Sequence, residues 1–199
     1  MPIPAEMRIS TNLPTSVKRA LASVEMAPAI KVGLQAHRRF WEQDDDIYGG
    51  ISWTTHLSRQ IWYPSANFME STGILTAAYN AGGEATTFGN LSRVERIEEA
   101  AKGGTSLHSN FRDDVDLNGA ISMAWQHMPW QLGGFANDTY LTQPEIYSAI
   151  TDWPQGGILL AGDSASQMPG WQEGSVSSAQ LAVRALVEKR RSTDPALYS

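Results

Sequence analysis

The residues best placed for chemistry lie near the carboxyl end, in GGILLAGDSASQMPGWQEGSVSSAQLAVRALVEKRR, residues 156–191. Gly162 and Asp163 put a carboxylate directly after the apolar run 158–161, and the corner Pro169-Gly170-Trp171 leads to Gly174 and Ser175. A helix opening at Gly174 would present unpaired N–H groups and roughly half a positive charge. Such an end stabilises negative charge on a phosphate or on a ring that accepts electrons. Carboxylate, glycine corner and helix start together suit a polar, electron-accepting ligand. The same series also suits a plain strand-turn-helix packing unit, and the residues alone leave both open.

Other candidates are weaker. Lys31 sits in AIKVGLQA, where Ile30, Val32 and Leu34 alternate with Lys31, Gly33 and Gln35; a lysine in a half-buried strand ordinarily occupies the solvated face. Asp44, Asp45 and Asp46 lack the spaced oxygens a calcium loop uses, so they read as a solvated loop. Asp114 to Gly119 copies the first half of such a loop, yet its twelfth position holds Trp125 where a bidentate Glu is needed. Gly162-Asp163-Ser164 has the look of a serine-esterase block, but no histidine follows Ser164; an earlier one would have to fold back as base. His37, His56, His108 and His127 show no close pairing, and no metal site is expected. Asn90 and Asn137 open glycosylation sequons of very low specificity.

Composition sets the limits around these residues. The chain has 199 residues, 42% hydrophobic content, seven Trp and no Cys. That is one domain, or one and a fraction, with enough apolar material for a core, and it argues against disorder. A net charge of −6 argues against nucleic acid as a partner. No stretch approaches the ~20 apolar residues of a membrane span. No amino-terminal signal pattern is present, so the chain reads as soluble, and cytoplasmic only as it stands, with the compartment left open. Lack of Cys excludes disulfides and thiol catalysis.

The elements that must position the candidates follow from periodicity. Residues 1–12 are a proline-punctuated lead-in that reads as cut from something longer. A helix runs from Pro14 to about Ser23, and a half-buried strand covers 29–36. Strands at 60–63, stopped by Pro64, and at 73–79 suit an antiparallel pairing, with Gly82 and Gly83 ending that unit. The clearest mid-chain helix is 91–102, with Leu91, Val94, Ile97 and Ala101 on one face and Gly103-Gly104 closing it. A polar helix near 111–116, a strand at 121–126, a turn at 132–135 and a helix at 144–150 come next. The run 158–161 reads as a fully buried strand. In the last helix Ser175 would cap the start, with Val176, Ala179, Val183, Leu186 and Val187 forming a buried face. The fold class is α+β: a mixed, largely antiparallel sheet flanked by helices.

The terminal stretch resembles the carboxyl-terminal signature of the flavin-dependent amine oxidase superfamily, in which a buried strand ends in Ala-Gly-Glu or Ala-Gly-Asp and a Gly-Trp-x-Glu-Gly corner leads into the last helix. KVGLQAHRRFWE, YGGIS, RQIWYPSANF, MAWQHMPWQLGGF and LAGDSASQMPGWQEG also occur in the order seen in bacterial flavin-dependent L-amino-acid oxidases. The resemblance implies FAD, and an L-amino acid or amine oxidised by hydride transfer with oxygen as the final acceptor. It implies that Lys31 holds a water beside flavin N5 and that Gly162, Asp163, Trp171, Glu173, Gly174, Ser175 and Val176 contact the cofactor. Trp62 and Trp171 would wall the substrate, Tyr63 would bind its carboxylate, Gly170 would offer a carbonyl to its amino group, and Phe135 would line the side-chain pocket.

On the same resemblance, 1–28 is a lead-in segment and helix, 29–150 a substrate-binding domain, 151–191 the last strand, loop and helix of an FAD-binding Rossmann-like domain, and 192–199 a tail. The G-x-G-x-x-G turn that holds the ADP half of FAD does not occur in these residues. The resemblance therefore implies that an amino-terminal FAD-binding chain or segment is the partner, that the assembly is an oligomer, and that this chain alone is inactive. A binding or regulatory subunit without its own flavin is the alternative, and a serine hydrolase using Ser164 the remote one.

Overall fold

A computed structural model describes residues 13–151 and 158–193. The lead-in 1–12, Gly156 and the end of the tail lie outside the described residues. Contacts divide the chain into two units, residues 28–129 on one side and residues 1–27 with 130–199 on the other. This puts residues 130–151 with the first helix rather than with the sheet.

The unit 28–129 is built on a five-stranded antiparallel sheet of β2 (Ala29–Ala36), β3 (Gly50–Trp53), β4 (Gln60–Tyr63), β5 (Gly73–Ala81) and β6 (Val115–Ala124), in the order β3-β4-β5-β2-β6. The alternation in β2 produces its two faces: Ile30, Val32, Leu34 and Ala36 are fully buried, whereas Lys31 and Gln35 are exposed. The buried face packs under α2 (Phe40–Gln43), α3 (Gly82–Gly89), α4 (Arg93–Thr105) and α5 (Phe111–Asp114), with Trp41, Phe40, Phe88 and Phe111 as the large core side chains. Each such side chain contributes about 1.5–3 kcal/mol by leaving water. The opposite face stays open, with Ile74 65% and Ile121 68% exposed.

Several elements depart from the sequence reading. Gly82 and Gly83 start α3 rather than ending a unit. In α4 a capping box joins Ser92 and Glu95, and Val94 is exposed. Gly103 and Gly104 continue that helix instead of closing it, because side chains pack where a Cβ would lie: Ser58 Oγ at 1.9 Å from the first and Phe111 at 2.4 Å from the second. β6 is longer than expected; Arg93 of α4 donates to the Ala120 carbonyl and Arg96 Nε to Ser122 Oγ at 2.8 Å. Asp116, from the declined calcium motif, accepts from its own turn, at Asn118 N and Gly119 N.

Arg39 and Glu42 form an ion pair with both side chains 2% exposed or less. Arg39 also donates to the carbonyls of Pro64 and Ala66, and Glu42 accepts from Met69 N at 2.9 Å. The pair thus ties down the 64–72 connector. Arg39 holds the Glu42 carboxyl below its usual range, so the stabilisation is present above the ordinary carboxylate range and is lost as pH falls through the lowered value. Arg39→Met is expected to cost about 3–5 kcal/mol at neutral pH, the penalty of stranding a buried charge. Thermal melts at neutral and acid pH check this: the deficit should shrink in acid.

In the other unit, α1 (Thr15–Ser23) packs on α6 (Pro144–Thr151), and β1 (Met26–Ala27) pairs with β7 (Phe135–Ala136). Both strands are two residues long, too short for periodicity to signal. Ala20, Val24, Ala136, Ile150 and Ala165 form the core. Residues 158–161, expected as a buried strand, pair with no strand among the described residues, and Ile158, Leu159 and Leu160 are only half-buried. A strand needs a ladder partner, and none stands beside this run. α7 (Gln172–Thr193) starts two residues before the expected point. Its apolar stripe is not buried: Val176 is 57%, Val183 61% and Leu186 54% exposed. The small residues Gly174 and Ser178 are turned inward instead. Among the described residues no helix is long and apolar enough to cross a membrane.

Candidate functional site

The open face of the sheet carries the first group of candidates. In the register Lys31 lies opposite Tyr79, and the ammonium stands 4.6 Å from the centre of that ring. The Tyr79 ring is 5.8 Å from Trp62, whose indole N–H donates to Gln60 Oε1 at 2.8 Å. Among the described residues no carboxylate pairs with Lys31. Gly33, two residues on, has nothing within 4 Å of where a Cβ would be, so the backbone is bare beside the lysine. An unpaired ammonium, two aromatic rings and bare backbone form a platform for a flat, polar ring system.

Tyr63 does not belong to this platform. It is 5% exposed and faces the core with Ile61, as alternation along β4 requires. Its hydroxyl is 2.6 Å from His108 Nε2, and His108 Nδ1 is 2.7 Å from Asp45 Oδ2. Burial pushes the phenol pKa up. The tyrosine that stands on the open face beside Lys31 is Tyr79, which the sequence reading did not name. Asp45 and His108, read as a solvated loop residue and an unpaired histidine, are joined to Tyr63 instead.

The second group lies in the other unit. Gly162 has φ +112, a backbone region that glycine enters without strain, and its N–H donates to Ser178 Oγ at 2.8 Å. Asp163 accepts from Ala136 N at 2.5 Å through one oxygen and from Gly170 N at 2.6 Å through the other. The carboxylate thus fixes β7 and the Gly170 corner internally. Gly170, φ +85, lies against Phe135, whose ring would be 3.5 Å from an added Cβ. Trp171 is 68% exposed, and its carbonyl accepts from Ser175 N at 3.3 Å. Ser175 is therefore inside the helix and does not cap it. Glu173 and Val176 are exposed on its first turns. Gly174 is buried, with Met168 O 2.2 Å and Ser166 Oγ 2.3 Å from where a Cβ would stand. Its bare side is filled by the 166–168 loop, not turned to a ligand.

The candidates thus fall into two groups, one in each unit. A concavity of about 510 Å³ among Tyr147, Leu160, Ala165, Ser178 and Leu181 contains none of them. Two thirds of its lining comes from α7 and the unpaired 158–161 run, so it suits a packing seat better than a small-molecule site. Ser164 is buried, with its hydroxyl 3.9 Å from the Met26 sulfur. That is no arrangement for a nucleophile. No cluster of three metal-ligating side chains occurs among the described residues.

A family model described as flavin containing amine oxidoreductase matches residues 4–187. An L-amino-acid oxidase of Echis ocellatus is 30% identical over 174 residues, which are 86% of this chain and 34% of the oxidase. The flavin-dependent L-tryptophan oxidase RebO of Lentzea aerocolonigenes is 29% identical over 181 residues, 88% of this chain and 38% of its own length. Among solved structures, the cyclohexylamine oxidase from Brevibacterium oxydans IH-35A superimposes with a TM-score of 0.72 at 20% identity, covering 89% of this chain and 38% of the oxidase. The chain therefore spans little more than a third of the length of the curated relatives it matches.

Proposed function

Because this chain belongs to the flavin-containing amine oxidoreductase family, we propose that it supplies the substrate-facing part of an FAD-dependent L-amino-acid oxidase. The observation that carries the reading is the Lys31–Tyr79–Trp62 group on the open sheet face. Once such a face is covered, its charged and polar groups are costly unless something polar meets them. The flavin, when bound, supplies the hydride acceptor. This chain's residues position and exclude water. In the unit 28–129, Lys31 holds a water through its ammonium, Tyr79 offers a hydroxyl to the substrate carboxylate, and Trp62 serves as a wall. For the other unit, the family resemblance gives Trp171 a wall role, Phe135 the substrate side chain and the Gly170 carbonyl the amino group.

On the cofactor side, Gly162, Glu173, Ser175 and Val176 contact FAD from the turn and the first turns of α7. Asp163 and Gly174 act indirectly, by holding the corner in shape. An amino-terminal FAD-binding segment, in the same polypeptide or another, completes the site; the exposed stripe of α7 and the 158–161 run pack against it.

The test is assembly of this chain with such a segment. A yellow complex releasing peroxide from an L-amino acid is expected, with the isolated chain colourless and inert. Trp171→Ala should keep the colour and lower turnover by roughly 10- to 100-fold, the scale of a misplaced substrate. Stoichiometric FAD on the isolated chain with peroxide release, or normal turnover of Trp171→Ala, would overturn the assignment.

A further inference from the structure

The hairpin that carries Trp62 makes few backbone pairings with the rest of the sheet. β4 pairs with β3 through four residue pairs but with β5 through one, Trp62 opposite Thr76. At its turn end, Asn80 Nδ2 donates to the Leu57 carbonyl at 2.5 Å and Tyr79 N to the Ser58 carbonyl at 3.3 Å. At its far end the strand stops at Pro64, whose carbonyl accepts from Arg39, and the Tyr63 hydroxyl is tied to His108. The imidazole is 8% exposed, its ring centre 5.1 Å from Phe40 and 6.3 Å from Phe111. With the Asp45 carboxylate on Nδ1, that nitrogen is the donor, and in the neutral ring Nε2 accepts the Tyr63 O–H. Three distant segments are thereby joined in one directed chain: the acidic loop, the α4–α5 connection and the end of β4.

We propose that Asp45, His108 and Tyr63 form a latch that positions Trp62, making His108 a positioning residue for substrate selection. Trp62 follows Ile61 and precedes Tyr63, so where the latch pulls Tyr63 into the core it tilts the intervening indole toward Tyr79. Releasing the latch leaves the outer half of β4 with the Arg39 bond at Pro64 and one pairing to β5, and the gap between the Trp62 and Tyr79 rings widens. Its consequence for substrate choice rests on the oxidase reading; the positioning itself does not.

The experiment uses the 199-residue chain labelled with 5-fluorotryptophan, the Trp62 fluorine signal being assigned with Trp62→Phe. His108→Phe keeps an aromatic ring between Phe40 and Phe111 while removing both hydrogen bonds, and Tyr63→Phe keeps the core ring while removing one. Both variants are expected to shift and broaden the Trp62 signal and to leave that of Trp171 in place. The double variant should do no more than either single one, since both cut the same chain of bonds. Asp45→Asn, which retains an acceptor for Nδ1–H, should preserve the signal, whereas Asp45→Ala should not. An unchanged Trp62 signal in both single variants, or shifts that simply add, would sink the latch. In the assembled enzyme His108→Phe should raise KM several-fold for large aromatic amino acids with kcat little changed. If the signal moves as expected and KM does not, the latch stands and the substrate-wall role of Trp62 falls.

Discussion

Gly174→Val is expected to abolish cofactor retention in the assembled enzyme, and Gly174→Ala to come close to doing so. In a helix, Ala is ordinarily favoured over Gly by about 1 kcal/mol. Here the added Cβ would stand 2.2 Å from Met168 O and 2.3 Å from Ser166 Oγ. Backbone cannot swing aside as a flexible side chain does, so the 166–168 loop must move by more than an ångström. Overpacking of this kind costs about 1–3 kcal/mol, occasionally more, and outweighs the propensity gain. The loop is joined to the Gly170 corner that Asp163 holds, so the displacement reaches the cofactor side of the unit. Thermal melts and the flavin-to-protein absorbance ratio check both halves: an unchanged melting temperature with full FAD occupancy in Gly174→Ala would show that the loop yields freely. Asp163→Ala should also weaken retention, by freeing the Ala136 and Gly170 amides.

Lys31→Met is expected to lower kcat by about 100-fold or more while changing KM only several-fold, the signature of a group acting in the transition state. The substitution keeps the length and the apolar stem and removes the charge. Because Lys31 is exposed and unpaired in this chain, folding stability should change little. Stopped-flow measurement of flavin reduction and reoxidation separates the steps. Unaltered rates in both half-reactions would return Lys31 to the role of an ordinary strand lysine on a solvated face.

How much of this was legible in the residues differs from strand to strand. Alternation in β2 placed Lys31 on the face opposite Ile30 and Val32, and the structure agrees. The same rule applied to β4 puts Tyr63 with buried Ile61, and the structure buries both. Tyr79 was hidden by a β-bulge. Val32 pairs with Ala78 but Gly33 with Thr76, so Ala77 is an extra residue and strict alternation back from Leu75 would bury Tyr79. The stripe of Val176, Val183 and Leu186 reads as a buried helix face because periodicity reports what a helix can bury, not whether anything covers it. The Asp45–His108–Tyr63 chain joins residues 63 and 45 positions apart, a separation that no spacing rule reaches.

The two sides of the sheet are guarded unequally, and this gives any misassociation of the chain a direction. On one side the arginines of α4 lean onto β6 at Ala120 and Ser122, the kind of charged cover that blocks strand addition. On the other, β3 ends the sheet with Ile51 39% and Trp53 67% exposed. A stray strand has an apolar landing place at β3 and a fenced one at β6. Chains that stick together on storage would therefore grow from the β3 side, and a lysine in place of Trp53 would be the economical way to keep them apart.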